Sequence, residues 1–241
     1  MTAHLPDDAH ASRLAFYATP PHACTYLPGR TAVTLFADPY ARLSSRIYSR
    51  LARYGFRRSG RHIYRPACPG CDACIPVRVP VGSFRPRRSQ RRASRQNQDL
   101  VARERPPVFR EEDFALYQRY VSSRHPGGGM DHSTSEQYLE FLTSDWSDTR
   151  FVEFRLHGEL AMIAVLDRLE DALSAVYTFF APDLHRRSPG TFAILWEIEH
   201  ARNLGLSWLY LGYWIAGCAK MSYKDRFRPL EQFRDGRWLP V

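Results

Sequence analysis

Residues 151–180 read FVEFRLHGELAMIAVLDRLEDALSAVYTFF. Apolar segments at 151–156, 160–168 and 172–180 are separated by His157-Gly158 and by the acidic pair Glu170-Asp171. A glycine supplies the positive φ of a tight hairpin, and segments of this length suit strands, so the stretch predicts an antiparallel meander. Beyond it, Ser188-Pro189-Gly190-Thr191 introduces a helix over 192–203 with Gly205 past its end, and WLYLGYW at 208–214 reads as a buried strand. Before it, 111–125 reads as a helix with Phe114, Tyr117 and Val121 on one face, ended by Pro126 and Gly127 to Gly129. Ser133 and Glu136 form a capping-box pattern that opens a second helix through Tyr138, Leu139 and Leu142.

Two helices, three antiparallel strands, a helix behind a Pro-Gly turn and one more strand make an α+β chain, an α/β sandwich. The order resembles the GNAT acyltransferase layout, in which a splayed strand pair receives the acyl donor. The RERPP stretch ending at Pro107 marks the expected boundary between a Cys- and Arg-rich N-terminal module, 1–105, and a GNAT-like catalytic domain, 106–241. Within the module, 39–54 carries Leu43, Ile47, Leu51 and Tyr54 at helical spacing with Gly55 as cap, and IPVRVPV alternates as a strand does.

Charge separates the two parts. Residues 1–105 carry 19 Arg against six acids, whereas the whole chain of 241 residues has a net charge of +9. Such asymmetry predicts a polyanion partner on the N-terminal side. Arg85, Arg87, Arg88, Arg91, Arg92 and Arg95 lie within eleven residues, with Asp72 and Asp99 the nearest acids. Guanidinium forks match phosphate oxygens, so Arg85, Arg88, Arg91 and Arg92 are candidates for RNA backbone contact, although phosphate contacts read no sequence. No apolar run approaches the roughly 18 residues of a membrane span, and the acidic N-terminus is no signal peptide. The expectation is a cytoplasmic protein with no membrane partner.

Five cysteines, an odd number, argue against a disulfide framework. Cys68, Cys71 and Cys74 sit at CxxCxxC spacing, and Cys24 supplies a fourth thiolate, the number a structural zinc or an iron–sulfur cluster takes. Separate, partly buried thiols are the alternative. Arg57 and Arg58, framed by Gly55 and Gly60, form a candidate anion pocket. Tyr177, Phe179 and Tyr213 fall on expected neighbouring strands, where aromatics line an adenosine or amino-acid pocket or simply fill the core. Both lysines of the chain, Lys220 and Lys224, flank Tyr223 in CAKMSYK at 218–224. The nine His are scattered and no serine occupies a Gly-x-Ser-x-Gly elbow, so a covalent nucleophile is not indicated.

Taken in order, CTYLP at 24–28, GFRRSG at 55–60, YRP at 64–66 with the cysteine triplet, RSQRR at 88–92, YTFF at 177–180, LYLGY at 209–213 and CAKMSYK resemble the bacterial branch of the arginyl-tRNA–protein transferase family, the aspartate/glutamate leucyltransferases. The resemblance implies leucyl-tRNA as donor, a protein with N-terminal Asp or Glu as acceptor, a product that is an N-degron read by a protease adaptor, and no cofactor for the chemistry. For such a donor and acceptor, Arg85, Arg88, Arg91 and Arg92 are the expected contacts of the tRNA acceptor stem, Tyr177, Phe179 and Tyr213 the adenosine and leucine pocket, and Lys220, Tyr223 and Lys224 the contacts of the acceptor end or the developing charge. Arg57 and Arg58 then read the acidic N-terminus. The choice of leucine rests on the resemblance, and the CxxCxxC triplet departs from the paired cysteines of eukaryotic relatives, so no metal identity carries over. Two other readings compete. A CoA-dependent GNAT acyltransferase needs a phosphate-cradling loop that Arg187-Ser-Pro-Gly190 matches by half, and a zinc-bearing RNA-binding protein needs no catalysis at all.

Overall fold

The computed structural model describes residues 14–124 and 132–241. The loop expected at Pro126 to Gly129 lies outside them. Four short strands, β1 (Phe16–Ala18), β2 (His22–Ala23), β3 (Thr31–Ala32) and β4 (Thr34–Ala37), precede helix α1 (Ser45–Ala52). The helix starts at Ser45 because the Ser44 side chain accepts from the Ile47 N–H at 3.3 Å. Gly55, at φ +80°, turns the chain after it, into the hairpin β5 (Arg57–Ser59) and β6 (His62–Pro66). Strands β1, β4, β6 and β5, in that order, form a small N-terminal sheet.

The chain then enters the main sheet through β7 (Ile75–Pro80), leaves it as α2 (Arg88–Gln96), and returns as β8 (Leu100–Arg105). Thus the arginine run is a helix. Its first turn is held by the Gln90 side chain, which accepts the Arg87 N–H at 2.7 Å. Helices α3 (Glu111–Arg124) and α4 (Ser135–Leu142) follow. The capping box of α4 falls one residue later than expected: Thr134 accepts from the Gln137 N–H, and the Gln137 side chain accepts from that of Thr134. The meander then runs as β9 (Asp148–Leu156), β10 (Glu159–Arg168) and β11 (Ala172–Phe180), with His157 and Gly158 both at positive φ in the first turn. After it come α5 (Pro189–Asn203), β12 (Trp208–Trp214), the single turn α6 (Ala219–Ser222), and the terminal hairpin β13 (Glu231–Arg234) and β14 (Arg237–Pro240).

The main sheet has eight strands in the order β14-β13-β7-β12-β11-β10-β9-β8, antiparallel except where β11 meets β12. Both faces are covered, which is why β10 is apolar at nearly every position. Met162, Ala164 and Leu166 face α5, while Ile163 and Val165 face α3 and α4. A third cluster, around Tyr48, Phe56, Ile63 and Tyr210, joins α1 and the small sheet to the main one. The boundary expected between 105 and 106 therefore runs through a single sheet. Residues 1–105 supply β7 and β8, two of its eight strands, and Ile75, Val77 and Val79 share a core with Leu209, Leu211 and Phe227. An edge-on view of sequence periodicity misses this, because β7 finds its partners more than 120 residues downstream.

Candidate active site

Strands β11 and β12 pair in parallel over three positions, from Ala172 with Trp208 to Ser174 with Tyr210. Past that point the two strands no longer pair with each other, although β11 stays on β10 and β12 on β7, so a V opens toward their C-terminal ends. The carbonyls freed by the parting need donors. Arg57 meets them from β5: its guanidinium donates to the Ala175 carbonyl on one arm and, at 3.4 Å, to the Tyr210 carbonyl on the other. Gly212 lets it in. There β12 has slipped register against β7, φ is +81°, and a Cβ would stand 3.1 Å from the guanidinium carbon.

One residue further along, the Tyr213 carbonyl accepts from the Lys224 Nζ at 2.7 Å. Lys224 is 6% exposed and reaches in from the turn after α6, which the Trp214 indole N–H anchors on the Ser222 carbonyl at 3.1 Å. Burial, reinforced by the positive charge of Arg57, pushes the Lys224 ammonium down to about 7. Two cations thus line the open side of β12. Tyr223, beside Lys224, is 39% exposed, yet burial and then the charge of Glu197 push its phenol up to about 12, so its hydroxyl end is the inward one.

Glu197 was missed by sequence reasoning. It sits at the centre of the inward stripe of α5, with Ala193, Ile194, Ile198 and Ala201, and is fully buried. Neither carboxylate oxygen has a hydrogen-bond partner among the described residues. The signal lay in the sequence as one acid at i, i+3 and i+4 spacing among apolar residues.

The other expected site residues are distributed unevenly. Arg58 points the opposite way from Arg57 and its side chain has no exposure. Its Nε and Nη2 hold both oxygens of Asp167 at 2.7 and 2.8 Å, and it also donates to the carbonyls of Gly60 and Leu142. That guanidinium is part of the core and meets no solute. Phe179 is likewise buried, edge-on to Tyr117 and Tyr138 beneath α3 and α4. Tyr177 shares that face, half-buried, with a hydroxyl that lacks a partner among the described residues. Tyr213 lies on the far arm and donates toward the carbonyls of Gly55 at 3.1 Å and Tyr64 at 3.2 Å. The three aromatics expected to share one pocket are therefore not brought together. Lys220 is exposed on α6.

Arg85, Arg88, Arg91, Arg92 and Arg95 are all exposed, and no carboxylate among the described residues pairs with them. Helix α2 turns its other side, Gln90, Ala93 and Asn97, inward. Gln90 donates to the Arg226 carbonyl at 3.1 Å, just past Lys224, and Asn97 to the Arg187 carbonyl at 2.7 Å, just before α5. An exposed arginine-bearing helix face is thereby tied to both rims of the V.

Cys24, Cys68, Cys71 and Cys74 line one pocket of about 400 Å³ with Arg30, Asp72 and Arg234. Burial, then the neighbouring thiols Cys24, Cys68, Cys71 and Cys218, push the Cys74 thiol up to about 12. The donor atoms suit a soft metal in kind, but among the described residues no three His, Cys, Asp or Glu side chains are arranged to hold one.

Known proteins resemble this chain along most of its length. Residues 22–92 match the family model described as arginine-tRNA-protein transferase, N terminus, and residues 112–234 match its C terminus. The aspartate/glutamate leucyltransferase of Nitrosococcus oceani is 55% identical over 224 residues, 92% of this chain and 94% of that protein. That of Marinobacter nauticus is 52% identical over 225 residues, 93% of this chain and 95% of that protein. Among solved structures, FemX superposes with a TM-score of 0.45 at 9% identity over 68% of this chain and 59% of that one, too loose a likeness to carry an argument.

Proposed function

The chain belongs to the arginine-tRNA–protein transferase family, and from that premise we propose that it transfers leucine from leucyl-tRNA to the N-terminal Asp or Glu of proteins. One observation carries the reading: a strand pair that opens into a V with two cations inside, and an unpaired arginine helix fastened to both of its rims. The pair has the layout of a GNAT donor cleft. Arg88, Arg91 and Arg92, with Arg85 beside them, take the acceptor-stem phosphates and present the aminoacyl ester to the V.

The donor is an ester and the product an amide, so the reaction runs downhill without a further energy source. An α-amine of ordinary pKa, about 8, must lose its proton and meet the ester carbonyl carbon. Arg57 offers its guanidinium to the acidic side chain of the acceptor, and Lys224, with Tyr223, faces the charge that develops on the carbonyl oxygen. Leu-tRNA is preferred over Arg-tRNA as donor, and the product, a protein with a leading leucine, passes to a protease adaptor. No helix among the described residues is long and apolar enough to cross a membrane, in keeping with a cytoplasmic enzyme.

The test is direct transfer of radiolabel from Leu-, Arg- or Phe-tRNA to peptides that begin with Asp, Glu, Lys or Ala. Label is expected on Asp- and Glu-peptides from Leu-tRNA; none on any peptide refutes the reading, and consumption of acetyl-CoA instead favours the CoA-dependent alternative.

A further inference from the structure

We propose that Arg226 takes a phosphate of the unpaired 3′ end of the tRNA and so leads the aminoacyl ester from the arginine helix into the V. The proposal rests on the reading of the V as the transfer site and of α2 as the acceptor-stem contact. It adds the contact for the strand that joins them.

The arginine face of α2 is turned outward, since Gln90, Ala93 and Asn97 point into the protein. Arg57 and Lys224 instead stand inside the V. A stem held on the first presents its ester to the second only across one of the two rims that Gln90 and Asn97 fasten to the helix. At the Asn97 rim the Arg187 guanidinium is already engaged: it pairs with Asp99, and its Nε donates to the Gln96 carbonyl at 2.8 Å. At the Gln90 rim lies the turn Tyr223–Arg226, the one that also carries Lys224. Here Arg226 is exposed, and its side chain has no ion pair or hydrogen bond among the described residues.

An exposed arginine is by default a solvated charge, but the backbone of this one is fixed from two directions. Its carbonyl accepts from the Gln90 Nε2 at 3.1 Å, and the next residue, Phe227, is 2% exposed and stacks on Phe84 at 6.4 Å and 27°. Phe84 and Gln90 bracket the start of α2, so Arg226 is held against the end of the helix that carries Arg85 and Arg88. Toward the V, Lys224 stands two residues back in the same 3₁₀ turn, at about 2 Å of rise each. Its Nζ is on the Tyr213 carbonyl at 2.7 Å, beyond the point where β11 and β12 part. Half-buried Arg228 spends its Nε on the Asp225 carbonyl at 3.1 Å, which leaves Arg226 as the outward guanidinium of the segment. Arg85 and Arg88, then Arg226, then Lys224 thus form a run of cations from the outer face of the helix to the open strand pair. A guanidinium fork at its middle matches a phosphate of a single strand crossing the rim, and it pre-sets the direction in which the terminal ribose arrives.

The experiment uses the full chain, Leu-tRNA and an Asp-peptide, with wild type, R226A, R226K and, as the control on the other rim, R186A. Each is assayed on ordinary tRNA and on tRNA with one neutral methylphosphonate, placed either in the unpaired 3′ end or in the acceptor stem. R226A is expected to raise the KM for Leu-tRNA about 10–100-fold, the loss of one charge-assisted contact, with the KM for peptide unchanged. The salt slope falls by about 0.7, the value for one single-strand phosphate. R226K recovers part of the loss, because an ammonium is a point charge without the fork. A methylphosphonate at the matching 3′-end position costs wild type a similar factor and costs R226A nothing more, whereas one in the stem costs both alike. R186A behaves as wild type, and R226A melts within about 2 °C of it, as an exposed substitution does. A KM within about threefold of wild type, an unchanged salt slope, a loss that multiplies with every 3′-end methylphosphonate, a melting point that falls with activity, or the same loss in R186A each overturns the proposal. A wild type that transfers no label overturns the reading of the cleft as well.

Discussion

Replacing Arg58 by Met distinguishes an architectural guanidinium from a substrate-reading one. The variant leaves Asp167, whose side chain has no exposure, with the Thr149 hydroxyl at 2.7 Å as its remaining side-chain donor among the described residues. Removing one member of a buried pair costs about 3–5 kcal/mol, because the other charge is stranded in low dielectric. In a chain of this size each kcal/mol lowers Tm by about 2–4 °C, so R58M is expected to melt about 6–20 °C below wild type. Replacing both members, R58M with D167L, removes the stranded charge. What then remains is the loss of donors to the Gly60 and Leu142 carbonyls, at about 1 kcal/mol each. The double variant should therefore recover about 1–3 kcal/mol of the single loss. Thermal and urea unfolding read the energies, and the KM for Asp- against Ala-peptides reads recognition. A single variant that loses under about 1 kcal/mol refutes the structural role. A stable double variant that no longer prefers Asp-peptides returns Arg58 to the acceptor site.

Further outcomes follow from the same geometry. Gly212→Ala places a Cβ 3.1 Å from the Arg57 guanidinium carbon at a φ of +81°, and should cost about 1–3 kcal/mol of stability and most transfer activity; a fully active variant would show that Arg57 need not sit in the V. Each of Arg88, Arg91 and Arg92 changed to Ala should weaken tRNA binding without regard to its sequence and lower the salt slope by about one; an unchanged slope removes that residue from the phosphate contacts. The depressed Lys224, near 7 folded against about 10.4 unfolded, binds fewer protons than the unfolded chain between those values, so stability should rise with pH across that window in wild type relative to K224M; a gap that does not change with pH refutes the buried amine. At about pH 8, Cys74 should be the slowest thiol to alkylate, since the thiolate is the reactive form; labelling as fast as a free thiol refutes its raised pKa.

The meander and its hairpin were legible because alternation, a His-Gly turn and strand length all agree there. So was α5, announced by its Pro-Gly start. Arg57 and Arg58 were not separable: adjacent residues of a strand face opposite ways, and a one-residue ambiguity decides which guanidinium enters the V and which enters the core. Tyr177 and Phe179 failed as pocket residues for a related reason. Both faces of the main sheet are covered, so the aromatic pattern of β11 does not tell the donor side from the α3 side. The helical state of the arginine run was also hidden, because its inward face consists of Gln90, Ala93 and Asn97 and carries hardly any apolar signal. Glu197 was visible as an oddity on an apolar stripe, but its lack of partners is a fact of three dimensions.

Strand β7 is flanked by β12 and β13, which a ribosome makes last. The cysteine and arginine segments, made first, therefore cannot reach their final places until residue 234 has left the exit tunnel, however early the small sheet closes. A nascent or truncated chain carries an exposed basic stretch before the cleft exists. Completion of the β13–β14 hairpin is the event that seats β7, and with it the cysteine and arginine segments, in the sheet that carries the V.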